Sequence, residues 1–233
     1  MKQIYRRLLD KAFGRVSDFA WEEAAYRRLL AKGFVPDAII DVGAYEGKWT
    51  RMARRVFGEI PCLMVEAQPG KKAVLDQVCR ELSFTSYASA ALGATSGEIA
   101  TFYQMETGSS FFAEQSSAPR KETRLTTQTL DQVAQELSGT SLFLKLDVQG
   151  GELSVLAGGQ KTLARANVVQ LEVAMLPYNS AAPTFLEVIS YMDEHGFVPL
   201  DISGESRPNG YLVQIDLTFT QRESPLRPKF IRY

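Results

Sequence analysis

Four acids in this chain, Asp41, Glu66, Asp147 and Glu172, each lie at or near the end of a short apolar run. Around the first, Ala38-Ile39-Ile40-Asp41-Val42-Gly43-Ala44-Tyr45-Glu46-Gly47-Lys48-Trp49-Thr50 reads as a strand, a tight turn and a helix start. Gly43 and Gly47 permit such a turn, and a nucleotide-like cofactor can lie against its backbone with the acid nearby to read polar groups. The spacing excludes a dinucleotide fingerprint, because Tyr45 stands where the middle glycine is needed, and no P-loop occurs anywhere. Glu66 follows Asp41 by 25 residues, at the end of the next strand. A carboxylate there can accept hydrogen bonds from both hydroxyls of a ribose.

Elements that bring these acids to one edge follow from the hydrophobic pattern. Residues 1–35 read as a helical cap of two helices, Lys2 to about Phe13 and about Asp18 to Lys32, with Ser17 as N-cap and Gly33 past the end. From residue 36 to 221 strands and helices alternate: Ala38–Val42, Cys62–Glu66, Phe84–Ser89, Leu142–Val148 and Val168–Val173 read as strands. Glu98–Met105 and Thr123–Thr127 have β character and flank a polar stretch, Glu106–Lys121, long enough to be a functional loop. Thr129-Leu130-Asp131-Gln132 has capping-box spacing and opens a helix to about Leu137. A helix from about Thr184 to His195 ends at Gly196. Phe197–Leu200 and Tyr211–Phe219 close the chain as an antiparallel pair. The expected fold is α/β, a three-layer sandwich around a mostly parallel seven-stranded sheet with an antiparallel edge strand.

Composition limits the remaining classes. The 233 residues are 45% hydrophobic and 23% charged, ordinary for one soluble globular domain with modest additions. Cys62 and Cys79 are too few for a disulfide framework and read as reduced, which suggests a reducing compartment. No run approaches the length of a membrane span, and the N-terminus lacks a signal peptide's apolar core, so the expected location is cytoplasmic. Residues 1–16 carry a net charge of +4 and the tail 222–233 a net +3, which leaves −8 on the body. These ends read as solvated, with peripheral contact to an anionic membrane as the alternative, while the acidic body excludes nucleic acid as a partner. His195, the single histidine, sits where a helix C-terminus accounts for it.

Over about residues 38–220 the sequence resembles the FkbM-type methyltransferases, a branch of the class I fold that uses S-adenosylmethionine. Asp41-Val42-Gly43-Ala44-Tyr45-Glu46-Gly47 is similar to the family's D-x-G-A-N-x-G turn, and Glu66-Ala67-Gln68-Pro69 to its E-P-x-P. Ala91-Leu92-Gly93 with Gly97, Thr129-Leu130-Asp131, and Lys145-Leu146-Asp147-Val148-Gln149-Gly150-Gly151-Glu152 resemble A-L-G…G, T-L-D and K-x-D-V-E-G-x-E. Tyr45, Ala67 and Gln149 depart from the usual Asn, Pro and Glu. The resemblance implies that Asp41 and the Gly43–Gly47 backbone, including Ala44 and Tyr45, hold the cofactor's methionine part. It places Glu66 on the ribose, Ser89–Ala91 with Ala90 beside the adenine, and Asp147, Gln149 and Glu152 at the methyl-transfer centre. Asp147 is then the leading base, with cofactor orientation or a helix N-cap as its other reading; a rival has Asp147 and Glu172 binding Mg²⁺. Glu152 reads more readily as a stabiliser of its helix's first turn, and Lys145 as an ion-pair partner of Asp147 or a substrate ligand. Met175, Tyr178 and Asn179 are candidates for the acceptor pocket, and Phe111 and Phe112 for a lid. The implied reaction is methylation of a hydroxyl on a sugar, glycolipid or secondary metabolite. Two other readings stay open: a non-catalytic cofactor-binding module, with Gln149 as its motive, and a nucleotide-dependent oxidoreductase.

Overall fold

The structure is a computed structural model that describes residues 19–105, 108–112, 120–176, 179 and 181–228. The helix expected over Lys2–Phe13, its neighbour's N-cap Ser17, Tyr178 and the last five tail residues lie outside the described residues. The strands are β1 (Ala38–Val42), β2 (Cys62–Glu66), β3 (Thr85–Ser89), β4 (Ala91–Leu92), β5 (Ile99–Gln104), β6 (Lys121–Gln128), β7 (Leu142–Leu146), β8 (Ala166–Ala174), β9 (Phe197–Ser206) and β10 (Gln214–Gln221). The α-helices are α1 (Ala20–Ala31), α2 (Lys48–Phe57), α3 (Lys72–Glu81), α4 (Leu130–Val133), α5 (Glu152–Ala157), α6 (Gln160–Ala164) and α7 (Phe185–Glu194).

Seven strands form one sheet in the order β3-β2-β1-β7-β8-β10-β9, and β4, β6 and β5 form a second, smaller one. Pairing is parallel from β3 through β8. β10 runs antiparallel to both β8 and β9. The antiparallel strand therefore sits one place in from the edge: β10 inserts between β8 and β9, and β9 forms the border. Strand order reverses between β1 and β7, where α/β sheets place their ligands at the carboxyl ends of the strands.

Every residue of β1, β2 and β7 is buried, as expected for central parallel strands covered on both faces. Alternate side chains then build two cores. Ile40, Val42, Leu142, Leu144 and Leu146 join the cluster that includes Leu130, Leu156 and Met192. Ile39, Phe143 and Val168 join Tyr26, Trp49, Met52 and Phe57, so this face lies under α1 and α2. Tyr26 packs edge-on against Phe143 with centroids 5.0 Å apart, a favoured aromatic geometry. The period-2 rule puts Asp41 and Lys145 on this same second face.

The expected capping box of Thr129 with Gln132 forms, and the structure adds a second, Thr184 with Glu187. The helix after Thr129 is shorter than expected. It stops at Val133, and the chain tightens into a turn closed by Leu137 N–H to the Ala134 carbonyl at 3.1 Å. The last strand pair is longer than its pattern suggested. β9 runs to Ser206 through register irregularities, which break the alternation that marks a strand in sequence.

Candidate active site

The β1–α2 turn is built from left-handed residues: Gly43 (φ +78°), Tyr45 (φ +49°) and Gly47 (φ +68°). A Cβ at Gly43 would overlap the carbonyl oxygen of Asp147, and one at Gly47 would press on Val78 and Met64. These glycines therefore serve the turn's packing against its own sheet, beyond any approach of a ligand. Tyr45 adopts a conformation that favours Asn or Gly, and its ring is covered by Lys71 Nζ, 3.6 Å from the centroid. The same turn presets Glu66. Oε2 accepts from Tyr45 N–H and Oε1 from Gln68 N–H, each at 2.8 Å. Burial raises the Glu66 pKa, and the two backbone donors partly oppose the shift.

Asp41 is completely buried and already engaged. Its oxygens accept from Thr50 Oγ1 at 2.6 Å and Lys145 Nζ at 3.0 Å. Asp41 stands beneath the site rather than in the wall of the cavity. Lys145 lies 3.5 Å from Asp147 as well, so one ammonium serves two carboxylates. Burial works against its charge, but Asp41 and Asp147 outweigh burial and hold its pKa above the ordinary lysine value. Next to it, Asp147 and Glu172 are hydrogen-bonded to each other, and Gln149 Nε2 donates to both, to Asp147 at 3.0 Å. Gln214 Nε2 donates to Glu172 from the other side. Burial drives Glu172 well upward, reinforced by Asp147; for Asp147 burial is outweighed by Lys145 and by its hydrogen bonds, and its pKa falls. Burial thus favours the neutral form of Glu172, and Lys145 the charged form of Asp147. Gln149 keeps the cluster together, so its amide has a structural use where the family pattern has Glu.

A cavity of about 360 Å³ opens over this edge, the lower part of the usual range for small-molecule sites. Gly43, Ala44, Tyr45, Glu66 and Ala90 line it, and so do Lys145, Asp147 and Glu172. The structure thus brings together most of the sequence-derived site. Phe111 and Phe112, the expected lid, line the wall, and Ser110 ties that segment to the Gln149 carbonyl at 2.8 Å. Glu152 is a correction. It does not line this cavity; it is buried and accepts from Val148 N–H (2.9 Å) and Gly150 N–H (3.3 Å), fixing the turn after β7. Asn179 likewise holds the Gln149 carbonyl (2.8 Å), and Met175 lies outside the wall. His195 bonds the Tyr191 carbonyl at the end of α7, away from the cavity.

Glu22 from α1, Gln170 from β8, and Gln214 and Asp216 from β10 are among the lining residues that escaped the sequence reading. The register could have found two of them, because Asp216 pairs with Glu172 and Gln170 with Lys145. Magnesium does not fit this donor set. Amide nitrogens point at Asp147 and Glu172, and no group of three or more His, Cys, Asp or Glu side chains able to hold a metal occurs among the described residues. Both cysteines are free, as expected. No helix among the described residues is long and apolar enough to cross a membrane.

The acid cluster has a consequence for stability. Burial raises Glu152 to about 7 and Asp216 to about 7, and it drives Glu172 well upward. The native state therefore keeps protons that the unfolded chain releases above pH ~4.5, so stability falls as pH rises toward 7. Glu152 alone contributes about 3 kcal/mol to this loss. Urea unfolding at pH 5 and pH 8 should show the protein less stable at pH 8, with the difference reduced in Glu152→Gln, which keeps an acceptor oxygen. Equal stability at both pH values would contradict the burial of these acids in neutral form.

The family model described as the methyltransferase FkbM domain matches residues 41–199. A search of curated proteins gives no match. Among solved structures, an S-adenosylmethionine-dependent methyltransferase from Clostridium acetobutylicum ATCC 824 superposes with a TM-score of 0.52 at 9% identity, covering 94% of this chain and 98% of that one. Magnesium protoporphyrin IX methyltransferase from Synechocystis PCC 6803, solved with bound SAM, has a TM-score of 0.50 at 12% identity, with 94% and 96% coverage. These two likenesses establish a shared fold, the class I methyltransferase architecture.

Proposed function

We propose that this chain, which belongs to the FkbM methyltransferase family, uses S-adenosylmethionine to methylate the oxygen of a hydroxyl on a sugar, glycolipid or secondary metabolite. One observation carries the cofactor reading: Glu66, its carboxylate preset by two backbone N–H groups, opens on the same cavity as the anionic Asp147. A ribose diol can donate to the remaining lone pairs of Glu66. The chain's acids suit a cationic sulfonium, and Lys145 keeps Asp147 ionised beside it. The family match replaces the oxidoreductase reading, and the ordered Gln149 bridge weakens that of a pocket without a reaction centre.

The bound cofactor supplies an activated methyl group on a good leaving group; the protein must align the nucleophile with it and manage one proton. Glu66 and the turn at Gly43 hold one end, and Phe111 and Phe112 narrow access by water. A floor of amides and carboxylates, Gln170, Gln214, Glu172 and Asp216, favours an acceptor rich in hydroxyls over an anionic one. Incubating the protein with ¹³C-methyl cofactor and a panel of glycosides, glycolipids and hydroxylated aromatics, then locating the label by mass spectrometry, tests the reading. Label on oxygen is expected; label on nitrogen or carbon would overturn the oxygen assignment.

A further inference from the structure

Asp147 is poorly suited to take the acceptor's proton. Lys145, Gln149 and Glu172 all bind it and stabilise its charge. Asp216, one strand beyond Glu172, is different. It lines the cavity, and its carboxylate has no hydrogen bond or ion pair among the described residues. Its place is prepared by β9. The β9–β10 register shifts between Asp216 and Leu217, the kind of irregularity that re-aims side chains beside active sites. Gly204 pairs with Asp216 there, and a Cβ at Gly204 would overlap Asp216 Oδ2. A side chain at 204 would thus close the space the carboxylate uses.

Gln170 adds an independent observation. It is 2% exposed and lines the same cavity. Trp49 Nε1 donates to Tyr26 OH at 2.9 Å, and Tyr26 OH donates to Gln170 Oε1 at 2.6 Å. Ser203 Oγ also reaches Gln170 Oε1 at 2.9 Å. This relay fixes the amide with its oxygen occupied and leaves Nε2 without a partner among the described residues. A buried amide donor and a free carboxylate on adjacent strands are what a neutral hydroxyl needs, one group for its lone pair and one for its proton.

We propose that Asp216 and Gln170 form the acceptor subsite, where Gln170 Nε2 orients the nucleophilic hydroxyl and Asp216 takes its proton. The proposal rests on the methyl-transfer reading and replaces Asp147 as the base. As the acceptor oxygen bonds to the methyl carbon, its O–H proton passes to the Asp216 carboxylate. The carbon–sulfur bond breaks with its electron pair on sulfur, giving the methyl ether, S-adenosylhomocysteine and protonated Asp216. The charged and titratable groups facing Asp216 are Glu172 on β8, Asp147 after β7, Glu22 on α1 and Lys145 on β7. Burial and the acids raise its pKa to about 7 against Lys145, where a general base works best at neutral pH.

The test pairs Asp216→Asn with Gly204→Ala, which displaces the carboxylate without removing it. Calorimetry should show both variants binding S-adenosylmethionine within about threefold of wild type. Methyl transfer to the hydroxylated panel should fall by roughly 10²–10⁴-fold in Asp216→Asn, the usual scale for losing a general base, and Asp216→Glu should restore part of it. In the S-adenosylhomocysteine complex of ¹³C-aspartate-labelled protein, a carboxyl signal absent from Asp216→Asn should titrate near pH 7. A tenfold loss of cofactor affinity in Asp216→Asn, or a signal ionised already below pH 5, would overturn the assignment. Failure of wild-type protein to bind S-adenosylmethionine would instead sink the cofactor reading, and the titration would still report on Asp216.

Discussion

Lys145→Met should destabilise the fold by about 3–5 kcal/mol, the cost of breaking a buried pair and leaving one charge behind. Asp41 has no exposed surface, and its remaining partner would be the Thr50 hydroxyl. Asp147 would lose its nearest cation at the same time. For a domain of this size the melting temperature should drop by roughly 10 °C. The double variant Asp41→Asn/Lys145→Met removes both charges and should recover most of that loss, because the penalty comes from the orphaned carboxylate. Thermal and urea unfolding of the two variants check this. A Lys145→Met protein as stable as wild type would mean that Asp41 is not held charged beneath the site.

Glu66→Ala should weaken S-adenosylmethionine binding by about 1–3 kcal/mol, roughly 5- to 150-fold, the scale for losing hydrogen bonds to a charged group. The same change frees Tyr45 N–H and Gln68 N–H, so the turn also loses its tie to β2. Glu66→Gln separates the two effects. An amide can accept only through its single oxygen, and its NH₂ would face a backbone N–H. It should therefore bind cofactor almost as weakly as the alanine variant. Calorimetric affinity unchanged in both variants would remove Glu66 from the cofactor pocket.

The part of the cavity built by the β1 and β2 ends was legible because it follows a local pattern. Parallel central strands read as apolar runs, and Asp41, Glu66 and Asp147 stand at or just past their ends next to turns. What sequence order does not convey is which face such an acid takes. Asp41 points under α2 to Thr50 and Lys145, whereas Glu66 lines the cavity. Glu152 carries the right spacing but turns back on its own loop to satisfy Val148 and Gly150. Glu22 and Asp216 were not legible because they come from distant segments. Glu22 arrives with α1, and Asp216 reaches Glu172 only because β10 inserts between β8 and β9. The β9 irregularity that leaves room for Asp216 has no mark in the hydrophobic period.

The most direct measurement is a crystal structure of the protein with S-adenosylmethionine, supported by calorimetry against NAD. The account predicts density in the cavity beside β1 and β2, with the ribose hydroxyls on Glu66 and the methyl group directed toward Asp147 and Asp216, and no measurable binding of NAD. Cofactor density at another place on the surface, or NAD bound in its stead, would contradict it.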